Sequence, residues 1–211
     1  LVECDFVGAE AKLDTVKFKF KGSADENYVD AATTLAQCHI HFAYGRFKEL
    51  EDTAENFLAE NLRLPSVEQG ELLDILRILA QKHLILDEFE ALEKAYQTML
   101  DYKVDSQSSN LLYLINSVSA MVLMSQGEFI KAFEVANKNI AIAKQNNYTG
   151  LMAPIDSLYV MARFHLAGAR NKEALDIFQE VKNLAESNSQ WPWYFMADGY
   201  LSREYALNNQ M

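Results

Sequence analysis

Apolar residues recur along this chain at helical spacing, and they do so within a longer period of about 41 residues. Phe6, Phe47, Phe89 and Phe129 mark that period at nearly even intervals. Three residues after each comes a small or aliphatic residue, Ala9, Leu50, Leu92 and Ala132. Four further on comes another apolar one, Leu13, Ala54, Tyr96 and Ala136. A fifth copy keeps Ala174 and Phe178 but has Asn171 where the phenylalanine would stand. A fixed period of this length marks a repeat array in which each unit buries its apolar face only against its neighbours. The pattern therefore predicts an all-α fold, a right-handed superhelix of helix pairs. Its repeats run over about 1–22, 23–64, 65–105, 106–147 and 148–188, with a partial one at 189–211. Such an architecture offers a binding surface without naming a ligand.

Within that period, helices are expected at 1–3, 7–20, 25–43, 47–61, 67–85, 88–101, 108–125, 129–146, 150–167, 171–187 and 192–208. Ser23 with Glu26, and Ser66 with Gln69, have capping-box spacing. Asp105, Ser106 and Ser108 offer caps before Leu111, as Ser189 does before Trp191 and Pro192. Tight turns centre on Gly45, Asp87, Gly127 and Gly168, where glycine supplies the left-handed conformation that ends a helix. The aromatic residue after each turn is expected to anchor the second helix on the first, and the small residue three on lets the axes approach. Lys17 to Lys21 alternates basic and apolar residues with a strand-like period, and in this helical setting is assigned to a helix end.

Composition narrows the function classes. Half the residues are apolar, ample for a continuous core, and the net charge is −11. That charge argues against a grip on a nucleic-acid backbone, which needs clustered Lys and Arg. Cys4 and Cys38 fall at unrelated places in the repeat and read as reduced thiols of a cytoplasmic protein. The most apolar stretch, Leu111 to Met124, is short and interrupted by Asn116, Ser117 and Ser119, so it reads as a buried helix. The chain opens on Leu1, already inside a repeat, and stops inside another at Met211, which reads as a piece of a longer polypeptide. No nucleophile–base arrangement is visible. His39 and His41, two apart on a helix, point about 200° away from each other and do not share a metal. His83 and His165 stand alone. The expectation is a non-enzymatic module with no metal and no cofactor.

The turn, aromatic, small residue and trailing apolar residue resemble the second half of a tetratricopeptide repeat. Gly127, Phe129, Ala132 and Ala136 form the best copy, followed by Ala174, Phe178 and Val181. That family repeats with a shorter period, about 34 residues. The excess here equals about two helical turns, and Ala120 and Ala162 replace the glycine common in its first helix. Lengthened, degenerate repeats of this kind are similar to the helical sensor domain of large bacterial LuxR-type regulators, the maltose-activator-like proteins. The resemblance implies a protein or peptide partner, or a small-molecule inducer in the groove, with self-association as a further outcome. The nucleotide-binding module and helix-turn-helix of that family have no counterpart motif in these residues. The alternatives are a stand-alone peptide-binding adaptor and the helical scaffold of an enzyme whose active site lies elsewhere.

In solenoids of helix pairs the first helix of each pair lines the concave face. Equivalent first-helix positions hold Leu35 and His39, Arg77 and Gln81, Ser117 and Met121, then Tyr159 and Arg163, with Asp156 a turn earlier. His39, Arg77, Gln81, Asp156, Tyr159 and Arg163 are accordingly the candidate ligand-binding residues, since Arg and Tyr on a concave wall suit a carboxylate, a polar peptide or a sugar. Trp191, Trp193 and Tyr194 form an alternative aromatic patch, either a platform for a sugar or peptide or the packing face of a helix whose partner lies beyond Met211, exposed in these residues.

Overall fold

The computed structural model describes residues 6–23, 25–61, 69–101 and 108–208. Across them the chain is all-α, with ten helices: α1 (Phe6–Phe20), α2 (Glu26–Ala43), α3 (Phe47–Asn61), α4 (Gln69–Ile85), α5 (Phe89–Asp101), α6 (Ser109–Ser125), α7 (Phe129–Gln145), α8 (Ile155–Ala167), α9 (Asn171–Ser187) and α10 (Trp191–Asn208). A short 3-10 turn, Gly150–Met152, precedes α8. The Lys17 to Lys21 segment is helical as far as Phe20. None of the described helices is long and apolar enough to cross a membrane. The expected helix at 1–3, Cys4, and the Ser66, Asp105 and Ser106 caps lie outside the described residues.

Five three-residue turns join α2 to α3, α4 to α5, α6 to α7, α8 to α9 and α9 to α10, and they share one geometry. The second residue after each helix has positive φ: Gly45 (67°), Asp87 (58°), Gly127 (79°), Ala169 (54°) and Ser189 (55°). The next N–H closes back on the carbonyl five residues earlier, as in Arg46 to His41, Glu88 to His83, Glu128 to Leu123, Arg170 to His165 and Gln190 to Ala185, at 2.8–2.9 Å. This is the Schellman closure, which satisfies the last carbonyls of a helix. In the fourth turn the left-handed residue is Ala169 rather than Gly168, because α8 runs on to Ala167 and pushes the position one residue along. Ser23 and Glu26 do not form the reciprocal capping box. Ser23 Oγ accepts from the Asp25 N–H and the Glu26 carboxylate from the Gly22 N–H, because α2 starts two residues later than that box requires. Ser108 does cap α6, accepting from the Leu111 N–H.

Small and aliphatic repeat positions form the core. Leu50, Ala54, Leu92, Ala132, Ala136, Ala174 and Phe178 are all buried. The phenylalanines that follow the turns behave differently. Phe47 and Phe129 are half-buried and Phe89 is 44% exposed. Each opens its helix, one turn ahead of the buried seam, so its ring lies at the rim of the packed layer rather than inside it.

Sequential helices pack on each other, and α4 also packs on α2 and α6, and α6 on α8. The last helix then returns to touch α2. This closure makes α4 a central helix. Every residue from Leu72 to Leu84 is buried, including Asp74, Arg77, Gln81, Lys82 and His83. A helix buried all round must pair each polar group it carries.

Candidate functional site

The polar residues of α4 meet those of α2 and α8 inside this closed array. Arg77 spans two carboxylates: its Nη2 lies 2.7 Å from Asp74 Oδ1 and its Nη1 3.4 Å from Asp156 Oδ2. Gln81 Nε2 donates to the same Asp156 oxygen at 3.0 Å, and the Ser157 N–H donates to Asp156 Oδ1 at 2.7 Å. His39 Nε2 lies 3.4 Å from Asp74 Oδ2. Burial pushes the Asp74 carboxyl up, but Arg77 and His39 outweigh it and hold it down at about 2. Burial alone would lower the Arg77 pKa, and its two carboxylates raise it instead. Above this network Tyr113 donates to the Met152 carbonyl, and burial pushes its hydroxyl pKa up. Cys38, a free thiol beside Asp74, is pushed up to about 12 by burial and then by that charge. It stays protonated.

Four of the six residues expected on an open wall are thus internal. Arg77, Gln81, Asp156 and Tyr159 are 1–3% exposed, and only His39 and Arg163 are intermediate. The array curls far enough for α8 side chains to reach α4, so residues expected to face a ligand face one another. Sequence spacing brings five of the six to equivalent positions, with Asp156 a turn earlier, but carries no information on which helices meet across the array. Asn139, which sequence reasoning missed, staples α7 to the same layer. It is fully buried, and its Nδ2 donates to Ser117 Oγ at 2.9 Å and Ser157 Oγ at 3.1 Å. A lone asparagine at an inward helical position was the available signal.

The open part of the site lies at the turn end of the helices. A cavity of about 390 Å³ opens there between the C-terminal ends of α4, α6 and α8 and the first half of α10. Leu84, Phe89, Met124, Phe129 and Met196 give it apolar walls. Two of the rim phenylalanines of the repeat therefore line a cavity rather than a core. Arg163 and Tyr159 form its floor. Arg163 Nη1 donates to Tyr159 Oη at 2.9 Å, and the guanidinium carbon lies 5.8 and 5.4 Å from the Tyr159 and Tyr200 ring centres. Among the described residues no carboxylate comes within ion-pair distance of Arg163, although the charge of Asp87, at the rim, is felt there.

The alternative aromatic patch is largely a packing face. Trp193 is fully buried against Tyr159, with ring centres 5.1 Å apart, and Phe178 stacks on Tyr200 at 4.6 Å. Trp191 and Tyr194 are half-buried and meet edge to face. α10 packs on α9 and reaches α2, which covers Trp193 and leaves Trp191 and Tyr194 half-buried, while Phe195 and Tyr205 are exposed rings of this helix. His83 does not stand alone either: with Lys82 it holds Glu88, each at 2.7 Å, across the turn that carries Asp87. Among the described residues no three His, Cys, Asp or Glu side chains gather as metal ligands would. Comparison with protein-family models finds no match to this chain, and comparison with curated proteins finds no significant match.

Proposed function

We propose that this chain is a non-catalytic binding module, a right-handed superhelix of helix pairs with a period of about 41 residues. In this reading it serves as the sensor or protein-interaction domain of a multidomain transcriptional regulator of the LuxR type. The observation that carries the binding role is the turn-end cavity, where a guanidinium with no carboxylate within ion-pair distance among the described residues stands in a wall of mixed apolar and polar side chains. Arg163 is half-buried, its charge held by the Tyr159 hydroxyl and two aromatic faces, so an anionic group arriving there meets less competition from water than at a fully solvated arginine.

The mechanism follows from what borders the cavity. Its walls come from α4, α6 and α8 on one side and α10 on the other, and α10 also touches α2. A ligand held between them braces both ends of the array at once and favours the closed arrangement over any opened one. A ligand acts by such differential affinity for two states.

The test is a thermal-shift screen of the 211-residue chain against amino acids, carboxylates, sugars and peptides, repeated with Arg163→Gln. A melting-point rise that requires Arg163 supports the binding role. No stabilising compound, or one indifferent to Arg163, removes it. The regulator assignment is tested separately on the polypeptide that carries these repeats in the cell. A phosphate-binding G-x-x-x-x-G-K-[ST] loop and a helix-turn-helix on the same chain support it. A catalytic domain there makes the array an enzyme scaffold, and repeats alone make it an adaptor.

A further inference from the structure

We infer that the turn-end cavity takes a small zwitterion with an apolar body, an α-amino acid of the leucine or phenylalanine class. Its carboxylate would sit on Arg163 and its ammonium on Asp87. The inference rests on the binding role proposed above and names the ligand for that same site.

Charge is the first argument. Among the described residues the charged side chains lining the cavity are Asp87 and Arg163, one of each sign. They lie beyond ion-pair distance of each other, yet the Asp87 charge reaches Arg163. A plain carboxylate would meet Arg163 but be repelled by Asp87, and a plain amine the reverse. A zwitterion, whose own charges sit a few ångströms apart, satisfies both. Asp87 is held in place by its backbone: it occupies the left-handed position of the α4–α5 turn (φ 58°), which Lys82 and His83 lock through Glu88.

Geometry is the second. One Arg163 nitrogen is held by Tyr159, and the rings of Tyr159 and Tyr200 hold the guanidinium plane. The group is pre-oriented and keeps further N–H donors for a carboxylate. The remaining lining is mostly apolar side chains, Leu84, Ile85, Phe89, Met124, Phe129 and Met196, with Ser125 and Gly127 beside them, and the methionines are able to adapt to the shape of a side chain. A volume of about 390 Å³ lies at the small end of ligand pockets and suits one amino acid rather than an extended peptide.

The experiment titrates the chain by calorimetry with L-leucine and L-phenylalanine. Isovalerate serves as the carboxylate-only analogue, isoamylamine as the amine-only analogue, and a neutral oligosaccharide as the other chemistry. Both amino acids are expected to bind, with each one-charge analogue about tenfold weaker. Arg163→Gln should weaken leucine binding about tenfold or more with the far-ultraviolet dichroism unchanged. Asp87→Asn should erase the preference for leucine over isovalerate. Asn tolerates the left-handed backbone of this exposed turn, so the second variant still reports if the first fails to fold. Equal binding of leucine and isovalerate to the wild type overturns the inference, as does leucine binding untouched by both variants. Absence of amino-acid binding up to about 10 mM overturns it too. If the amino acids fail but an oligosaccharide or peptide binds through Arg163, the zwitterion inference falls and the binding role stands.

Discussion

Replacing Arg77 by methionine removes the cation that bridges Asp74 and Asp156 while keeping much of the length of the side chain. At an effective dielectric constant of about 20, a pair at 3.4 Å interacts by about 5 kcal/mol, and the closer one at 2.7 Å by about 6. Desolvation of the buried groups offsets much of that in the wild type. The offset does not vanish in the variant, because the two carboxylates stay buried and lose the guanidinium, keeping only His39 for Asp74 and Gln81 with the Ser157 N–H for Asp156. Breaking a buried pair in this way costs about 3–5 kcal/mol. With a urea m-value of about 2 kcal/mol/M, the midpoint should fall by about 2 M. Adding Asp156→Asn to Arg77→Met should restore part of the loss, since it removes one of the stranded charges, and the two changes should be non-additive.

The pH dependence supplies a second check with a definite sign. In the wild type the Asp74 carboxyl sits at about 2, below its unfolded value of about 3.9, so its contribution is present above pH 4 and is lost as pH falls toward 2. Without Arg77, burial is opposed by His39 alone, so the folded value should rise from its wild-type position. The stranded carboxylate then contributes less at neutral pH than in the wild type, and protonation removes that difference. The stability gap between wild type and Arg77→Met should therefore narrow as pH is lowered from 7 to 4. A midpoint shift under about 0.5 M, or a gap that widens with acid, would refute the reasoning.

Ala174→Asp, at a fully packed helix contact, should cost several kcal/mol and leave the chain unfolded or molten, read as loss of a cooperative urea transition. Ala169→Gly should stabilise by about 1 kcal/mol, because Ala169 holds a left-handed backbone (φ 54°) that costs an ordinary residue more than glycine; an unchanged melting point would show that the turn relaxes. With a net charge of −11, the chain should leave the fluorescence anisotropy of duplex DNA flat at low salt, and salt-sensitive binding would mean that a basic face has been overlooked.

Local rules make much of the fold readable. Helical spacing places most described helices within two residues of their bounds, since period and caps act within a turn or two. Ala132 and Ala174 are readable as close-contact positions because a small residue at a regular interval has few other uses. The phenylalanines mislead for the same reason that they stand out. Recurrence marks a common position in the repeat, but whether that position is core or cavity rim depends on the neighbouring turns. Curvature is not legible at all. Contacts between helices far apart in sequence depend on every packed pair between them, as with Asp156 on Arg77 and α10 on α2.

That closure also explains why the buried network and the cavity divide the six candidate residues between them. An open wall would leave Arg77 and Asp156 in water, where an ion pair contributes little. Once α8 side chains reach α4 the same residues become internal, and they must satisfy one another. Asp156 meets this demand with Arg77, Gln81 and the Ser157 N–H, and Asp74 meets it with Arg77 and His39. Arg163 lies two turns further along α8, where the helices end and the interior opens to the turn side. There its partners among the described residues are the Tyr159 hydroxyl and two aromatic faces, which position a charge without neutralising it. One helix thus carries both a carboxylate spent on structure and a guanidinium kept available, and the division follows from where the array closes.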